Sequence, residues 1–413
     1  MTKSLMRGFR ALDLTDWKGF VCGQIMGTMG VDVIKIEKPG GDPSRNIPPY
    51  YNDVPEPEKS LYWFAFNTDK RAITLNLETE RGQDLFRKLV ATADFVLESF
   101  PVGYLDGLGL GCEALSRVNE RIIVTSITHF GQKGPHSHYK GSELVDSAMS
   151  GVLENTGYPD RPPVKEALDS VCFQANAAAV LGTLISHYSR EMSGKGQQVD
   201  ISIQEVAASR TILCLLAWQW DKRLIKRGGP MGQIGFRPFR WIWQCRDGHL
   251  FWFFLGGQTG ALANRALSQW IDEDGLENPL REVTIWEELD MAALPQQTLD
   301  AYQETIGRFF LNHTKKEIAE ESLKRGINAV IASDPADVLE NPQLVSRNFW
   351  RDLEHPELGI TLAYPRHFFR FSETENEVTR RAPMIGQDND TIYGAELGLS
   401  RKEMAALRED HII

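Results

Sequence analysis

An aspartate at the predicted start of a long helix is the residue in this chain best placed to do chemistry. Asp169 ends the run Pro163-Val164-Lys165-Glu166-Ala167-Leu168-Asp169. Beyond Ser170, the small residues Ala175, Ala177, Ala178 and Ala179 predict a helix over 169–191. A carboxylate there has two readings. It can be an N-cap that accepts the first free N–H groups of the helix. It can also be a nucleophile, because a helix N-terminus favours the ionised form. Spacing alone leaves both open. Glu143, opening a shorter predicted helix over 143–150, is the second acid to weigh, either orienting groups around Asp169 or simply starting its helix.

Other chemistries find less support. The five cysteines, Cys22, Cys112, Cys172, Cys214 and Cys245, are scattered with no C-x-x-C pair, so neither a metal site nor a disulfide framework is expected. No glycine-rich stretch reads G-x-x-x-x-G-K-[ST] or G-x-G-x-x-G, which disfavours a P-loop NTPase, a kinase or an ordinary NAD enzyme.

These acids need a scaffold. Strand-like runs at 10–15, 31–37, 72–77, 94–97 and 121–127 alternate with helical runs at 20–30, 80–91 and 143–150. That alternation predicts an α/β fold with a doubly wound parallel sheet. A further strand over 198–203 follows the long helix, and a helical run then reaches about 220. Composition changes at 225. Gly228, Gly229, Gly232 and Gly235 lie among the aromatics Phe236, Phe239, Trp241, Trp243, Phe251 and Trp252. Charged helical segments follow to 326, and strand-like runs return from 327. The aromatics alternate as core positions of strands do, and could equally line a pocket for an aromatic acid.

The chain has 413 residues and a formal charge of -11, enough for two domains and unfavourable for nucleic-acid binding. The apolar run 212–220 is too short to span a bilayer, and the first twenty residues lack a signal-peptide core, so a cytoplasmic location without a membrane partner is expected.

Six blocks, in order along the chain, resemble the family III CoA-transferases (the CaiB/BaiF family). LDLTD at 12–16 and GVDVIKIEKPGGDPSR at 30–45 are similar to that family's first strand-helix-strand unit. NTDKRAITLNL at 67–77, ADFVLESFPVGYLDGLGLG at 93–111, ITHFGQKGP at 127–135, GKGQQVDISIQE at 194–205 and RAPMIGQDND at 381–390 resemble later blocks. Where many members carry A-G-P after the first strand, this chain has Trp17-Lys18-Gly19-Phe20. That opening resembles members acting on larger or aromatic acids, including the benzylsuccinate type.

The resemblance implies a Rossmann-like large domain formed by 1–224 and completed by the return segment 327–413, with 225–326 as a smaller α+β domain. It implies two chains threaded into an interlocked dimer, either a homodimer or a heterodimer of related subunits. It implies no tightly bound cofactor, with a coenzyme A thioester and a free carboxylic acid as substrates. Asp169 matches the family's nucleophile and Glu143 an acidic position beside it. Lys38, Lys70, Arg71, Leu75, Asn76, Leu77, Ser99, Phe100 and Lys140 match positions that contact CoA. Trp17 and Lys18 would meet the acid, under a covering loop with Gly228, Gly229 and Gly232. A racemase or isomerase of the same superfamily is the alternative activity. Its histidine block corresponds to Gly141-Ser142-Glu143, with His136 and His138 off register. A noncatalytic CoA-binding subunit is a third reading.

Overall fold

A computed structural model describes residues 5–234 and 237–413. Gly235 of the glycine-rich loop and Phe236 of the aromatic run lie outside the described residues. The chain divides into two compact units. The larger comprises Met1–Leu153, Lys165–Leu224 and Gln343–Ile413.

The larger unit is built on six parallel strands: β1 (Arg10–Leu14), β2 (Asp32–Glu37), β3 (Lys70–Thr74), β4 (Phe95–Glu98), β5 (Ile123–Thr128) and β6 (Gln198–Ser202). Their order is β3-β2-β1-β4-β5-β6. β4 and β5 are buried along their whole length, as strands covered on both faces must be. Alternate residues feed two core layers. Leu12, Ile34, Ile73 and Val96 pack on Leu85, Phe86 and Leu89 of the helix Glu80–Val90 and on Met404 and Leu407 of the helix Arg401–Glu409. Ala11, Val33, Phe95 and Leu97 pack on the helix Phe20–Thr28 and on Val171, Ala175 and Ala179 of the helix Ser170–Ser193. The alanines let that long helix sit close to the sheet, and Gly182 approaches Val199 where a Cβ would come within 2.8 Å.

The edge strand β3 would expose unpaired N–H groups. The C-terminal segment covers them: Asp388 accepts from Ala72 N and Asn389 from Thr74 N, each at 2.9 Å.

The second unit holds Glu154–Val164 and Ile225–Pro342. It differs from the 225–326 span read from composition for two local reasons. Val330–Ile331 pairs with Gly248–Phe251, which keeps 327–342 here. Arg227 donates to the carbonyls of Tyr158 and Arg161, and Gly229 N to Gly157 O, which recruits 154–164. Trp243 and Trp252 are fully buried with Phe254 and Phe310, whereas Trp241, between the strands Arg237–Arg240 and Ile242–Cys245, is exposed. Most of the aromatic run is therefore core. Among the described residues, no helix is long and apolar enough to cross a membrane.

Candidate active site

The order of the strands reverses between β1 and β4, and the chain leaves these two strands in opposite directions. In open α/β sheets such a point opens a crevice at the carboxyl ends of the strands. Here it is a cavity of about 860 Å³. Leu14, Trp17 and Lys18 line it after β1, Lys38 after β2, and Leu75 and Leu77 after β3. Ser99, Phe100 and Tyr104 follow from β4, and Thr128, His129, Lys140 and Gly141 from β5 and beyond. The two sides are tied across the reversal. Asp16 N donates to Ser99 Oγ at 2.8 Å, and Ser99 Oγ donates to Asp16 Oδ1 at 2.9 Å.

Asp169 occupies the N-cap position of the helix Ser170–Ser193, yet its side chain makes no capping bond. Glu143 does that work. Its buried carboxylate accepts from Val171 N at 3.0 Å and Cys172 N at 3.3 Å. Burial raises the Glu143 pKa, hydrogen bonds from the Cys172 side chain and from Val171 N oppose the rise, and the nearby Asp169 charge adds to it. Asp169 is left partly exposed, its side chain at 21%. Tyr62 Oη donates to Asp169 Oδ2 at 2.7 Å, and Lys165 Nζ lies 3.4 Å from Oδ1. Burial, then the Asp169 carboxylate, pushes the Tyr62 hydroxyl well above its ordinary range, so it remains a donor. The helix is moored to the turn after β1, because Asn176 donates to Lys18 O at 2.7 Å and accepts from Cys22 N at 2.8 Å.

Asp169 is thus a partly exposed carboxylate relieved of capping, and neither it nor Tyr62 or Glu143 is among the residues lining the cavity. The family model for CoA-transferase family III matches residues 6–389. The chain belongs to CoA-transferase family III. It is 32% identical over 387 residues to the succinyl-CoA:(R)-benzylsuccinate CoA-transferase subunit BbsE of Thauera aromatica, covering 93% of this chain and 92% of that protein. It is 30% identical to a succinyl-CoA–D-citramalate CoA-transferase of Chloroflexus aurantiacus, covering 96% and 94%. A crystal structure of a CaiB/BaiF family protein from Brucella suis superposes with a TM-score of 0.83 at 27% identity, covering 96% of this chain and all of that one. The chain is thus a CoA-transferase, a class of enzyme whose substrates are CoA thioesters.

The residues expected to contact CoA divide into two groups. Lys38, Leu75, Leu77, Ser99, Phe100 and Lys140 all line the cavity. Asn76 turns away, its N–H donating to Ile412 O and its side chain accepting from Glu78 N. Lys70 and Arg71 correct the sequence expectation more sharply. They begin β3, at the opposite end of the sheet from its carboxyl ends. Lys70 is fully buried and donates to Asp13 Oδ2, Asn67 Oδ1 and Phe20 O. Lys70, then Lys35, holds the Asp13 carboxyl below its usual range against the larger opposing effect of burial. Arg71 pairs with Asp32 and Glu396. Neither is free to meet a phosphate.

Gly228, Gly229 and Gly232 have packing reasons of their own within the second unit. A Cβ on Gly232 would overlap Trp241, and Gly229 has φ +59 and faces Tyr158. A Cβ on Gly228 would press on Met231 O at 2.5 Å.

Sequence reasoning missed Tyr62, which no local spacing connects to a partner 107 residues away. It also missed His129 and Asp146. His129 lies within ITHFGQKGP at 127–135, close to the off-register His136 and His138. Glu143, Asp146 and Cys172 bring their ligand atoms within 4.8 Å of one another. Each already has work: Glu143 caps the helix, Asp146 holds His129, and burial keeps the Cys172 thiol protonated.

Proposed function

We propose that this chain moves CoA from succinyl-CoA to a medium-sized dicarboxylic or aromatic acid, with Asp169 as the covalent carrier. The observation that carries this reading is the division of labour at the helix start, where Glu143 caps and Asp169 does not. The Asp169 carboxylate attacks the donor thioester, and the C–S bond breaks to give a mixed aspartyl anhydride and CoA thiolate. The thiolate attacks the aspartyl carbonyl, releasing the donor acid and leaving an aspartyl-CoA thioester. The acceptor carboxylate attacks that thioester, forming a second anhydride and freeing the thiolate again. The thiolate takes the new acyl group and restores Asp169. A carboxylate suits this exchange because anhydride and thioester are close in reactivity, so no external activation is consumed. Tyr62 holds the carboxylate in one orientation.

Lys38 and Lys140 would meet CoA phosphates, and Leu75, Leu77 and Phe100 its adenosine end. Trp17 and Lys18 would meet the acid. Lys70 is better read as a positioning residue behind the turn after β1. The succinyl-CoA-dependent activities of the benzylsuccinate and citramalate relatives support a succinyl donor.

The active form would be a pair of interlocked chains, identical or related. Leu181, Ile185, Tyr188 and Met192 form one exposed apolar stripe on the helix Ser170–Ser193, and Trp220 is 91% exposed on the helix Ile212–Asp221. Apolar surface of this kind supports association.

The test is an assay of succinyl-CoA against a panel of alkyl, aryl and dicarboxylic acids, with mass-spectrometric detection of new thioesters. Formation of no new thioester from any acid would refute the reading.

A further inference from the structure

The transfer chemistry needs no histidine, yet the cavity wall holds one that is aimed. His129 follows β5 and lines the cavity. Its Nδ1 lies 2.8 and 3.0 Å from the two carboxylate oxygens of Asp146, which is fully buried. An acceptor-only partner assigns a proton to Nδ1, so Nε2 accepts from a hydroxyl when the ring is neutral and donates to a carboxylate only as the imidazolium. Nε2 makes no hydrogen bond among the described residues, although the side chain is only 15% exposed. The ring is clamped: a Cβ on Gly141 would lie 2.3 Å from His129 Cγ, so only glycine fits there. Trp17 stands 6.2 Å away on the same wall. Thr128, the preceding residue, also lines the cavity, is 95% buried, and leaves Oγ1 without a partner. Buried polar atoms without partners are rare and ask for a ligand.

We propose that His129 Nε2, oriented by Asp146 and assisted by Thr128, is a specificity subsite for a second oxygen function on the acyl chain, a carboxylate or a hydroxyl. This rests on the CoA-transferase reading of the same cavity and names what distinguishes its preferred acids. A chain lacking that oxygen would leave Nε2 and Thr128 Oγ1 buried without partners, and such a mismatch is discriminated strongly. Asp146 is a positioning residue, acting through the ring.

The experiment compares succinyl-CoA, 3-hydroxybutyryl-CoA and butyryl-CoA as donors. It uses the wild-type chain, His129→Phe, Thr128→Val and the double variant His129→Phe/Asp146→Leu. The double variant avoids stranding a buried carboxylate should the single one fail to fold. Wild type should favour at least one oxygen-bearing thioester over butyryl-CoA by about tenfold or more in kcat/KM. That ratio should fall toward unity in the His129 variants and part-way in Thr128→Val. The thioester whose advantage disappears identifies the oxygen as carboxylate or hydroxyl. A ratio unchanged in the variants, or a wild type with no preference, overturns the proposal. Calorimetric binding of the same three thioesters to an Asp169→Ala chain gives the ratio without turnover. Selective binding without transfer by the wild type would sink the transferase reading and leave the subsite standing. Transfer without selectivity would do the reverse.

Discussion

Glu143 caps the helix that Asp169 begins, accepting Val171 N at 3.0 Å from a separate helix 28 residues earlier. The arrangement splits stability from chemistry at one helix terminus. Glu143→Ala should cost about 1–2 kcal/mol in urea unfolding, the usual range for a lost cap. Asp169→Asn, which removes no capping bond and keeps an acceptor for Tyr62, should cost well under about 1 kcal/mol. Equal losses in the two variants would return Asp169 to the status of a structural cap.

The same aspartate carries the covalent step. Asp169→Ala should lower transfer by at least about a thousandfold while CoA affinity persists. Hydroxylamine added during turnover should convert Asp169 to a hydroxamate, seen as a mass change on its peptide. An unmodified peptide from a protein caught in active turnover would exclude an acylated aspartate.

Tyr62→Phe removes the 2.7 Å bond to Asp169 and nothing else of comparable strength. A hydrogen bond to a charged group contributes about 1.5–3 kcal/mol, so kcat should drop about tenfold or more. Steady-state kinetics with KM little altered is the expected pattern.

Lys70 and Lys38 should separate cleanly. Lys70→Met leaves Asp13 buried and unpaired and should destabilise the fold by about 3–5 kcal/mol. Lys38→Ala with Lys140→Ala should leave the melting temperature nearly unchanged and weaken CoA binding about tenfold at low salt, less at high salt. CoA affinity that falls in folded Lys70→Met protein, measured by calorimetry, would restore Lys70 to the binding surface.

Glu98, at the end of β4, is 95% buried, and burial pushes its carboxyl up to about 7. An unfolded glutamate titrates near about 4.3, so between about 4.3 and 7 the unfolded chain has lost a proton that the folded one keeps. Stability therefore falls as pH rises through that window and levels off above it. Glu98→Gln should remove this slope. Its stability relative to wild type should be about 2 kcal/mol greater at pH 8 than at pH 5, read from urea unfolding at both. A difference independent of pH would show that Glu98 titrates normally.

The sequence by itself determined the alternation of strands and helices, the family, and the candidacy of Asp169. Each depends on short-range pattern: hydrophobic runs, glycine turns and contiguous blocks that the chain carries whatever its neighbours. Tertiary structure decided which groups are available. Lys70 and Arg71 read as CoA contacts because they lie in a block that resembles the family's CoA-contacting positions. Folding places them at the far end of a parallel strand, where Asp13, Asp32 and Glu396 neutralise them. Asp169 read as a possible cap, and only the approach of Glu143 from another helix relieves it of that task. His129 and Asp146 lie 17 residues apart with nothing between them to announce a pair. Charge pairing and hydrogen-bond satisfaction are settled among residues distant in sequence, so composition names the acids and bases but not which of them the fold leaves free.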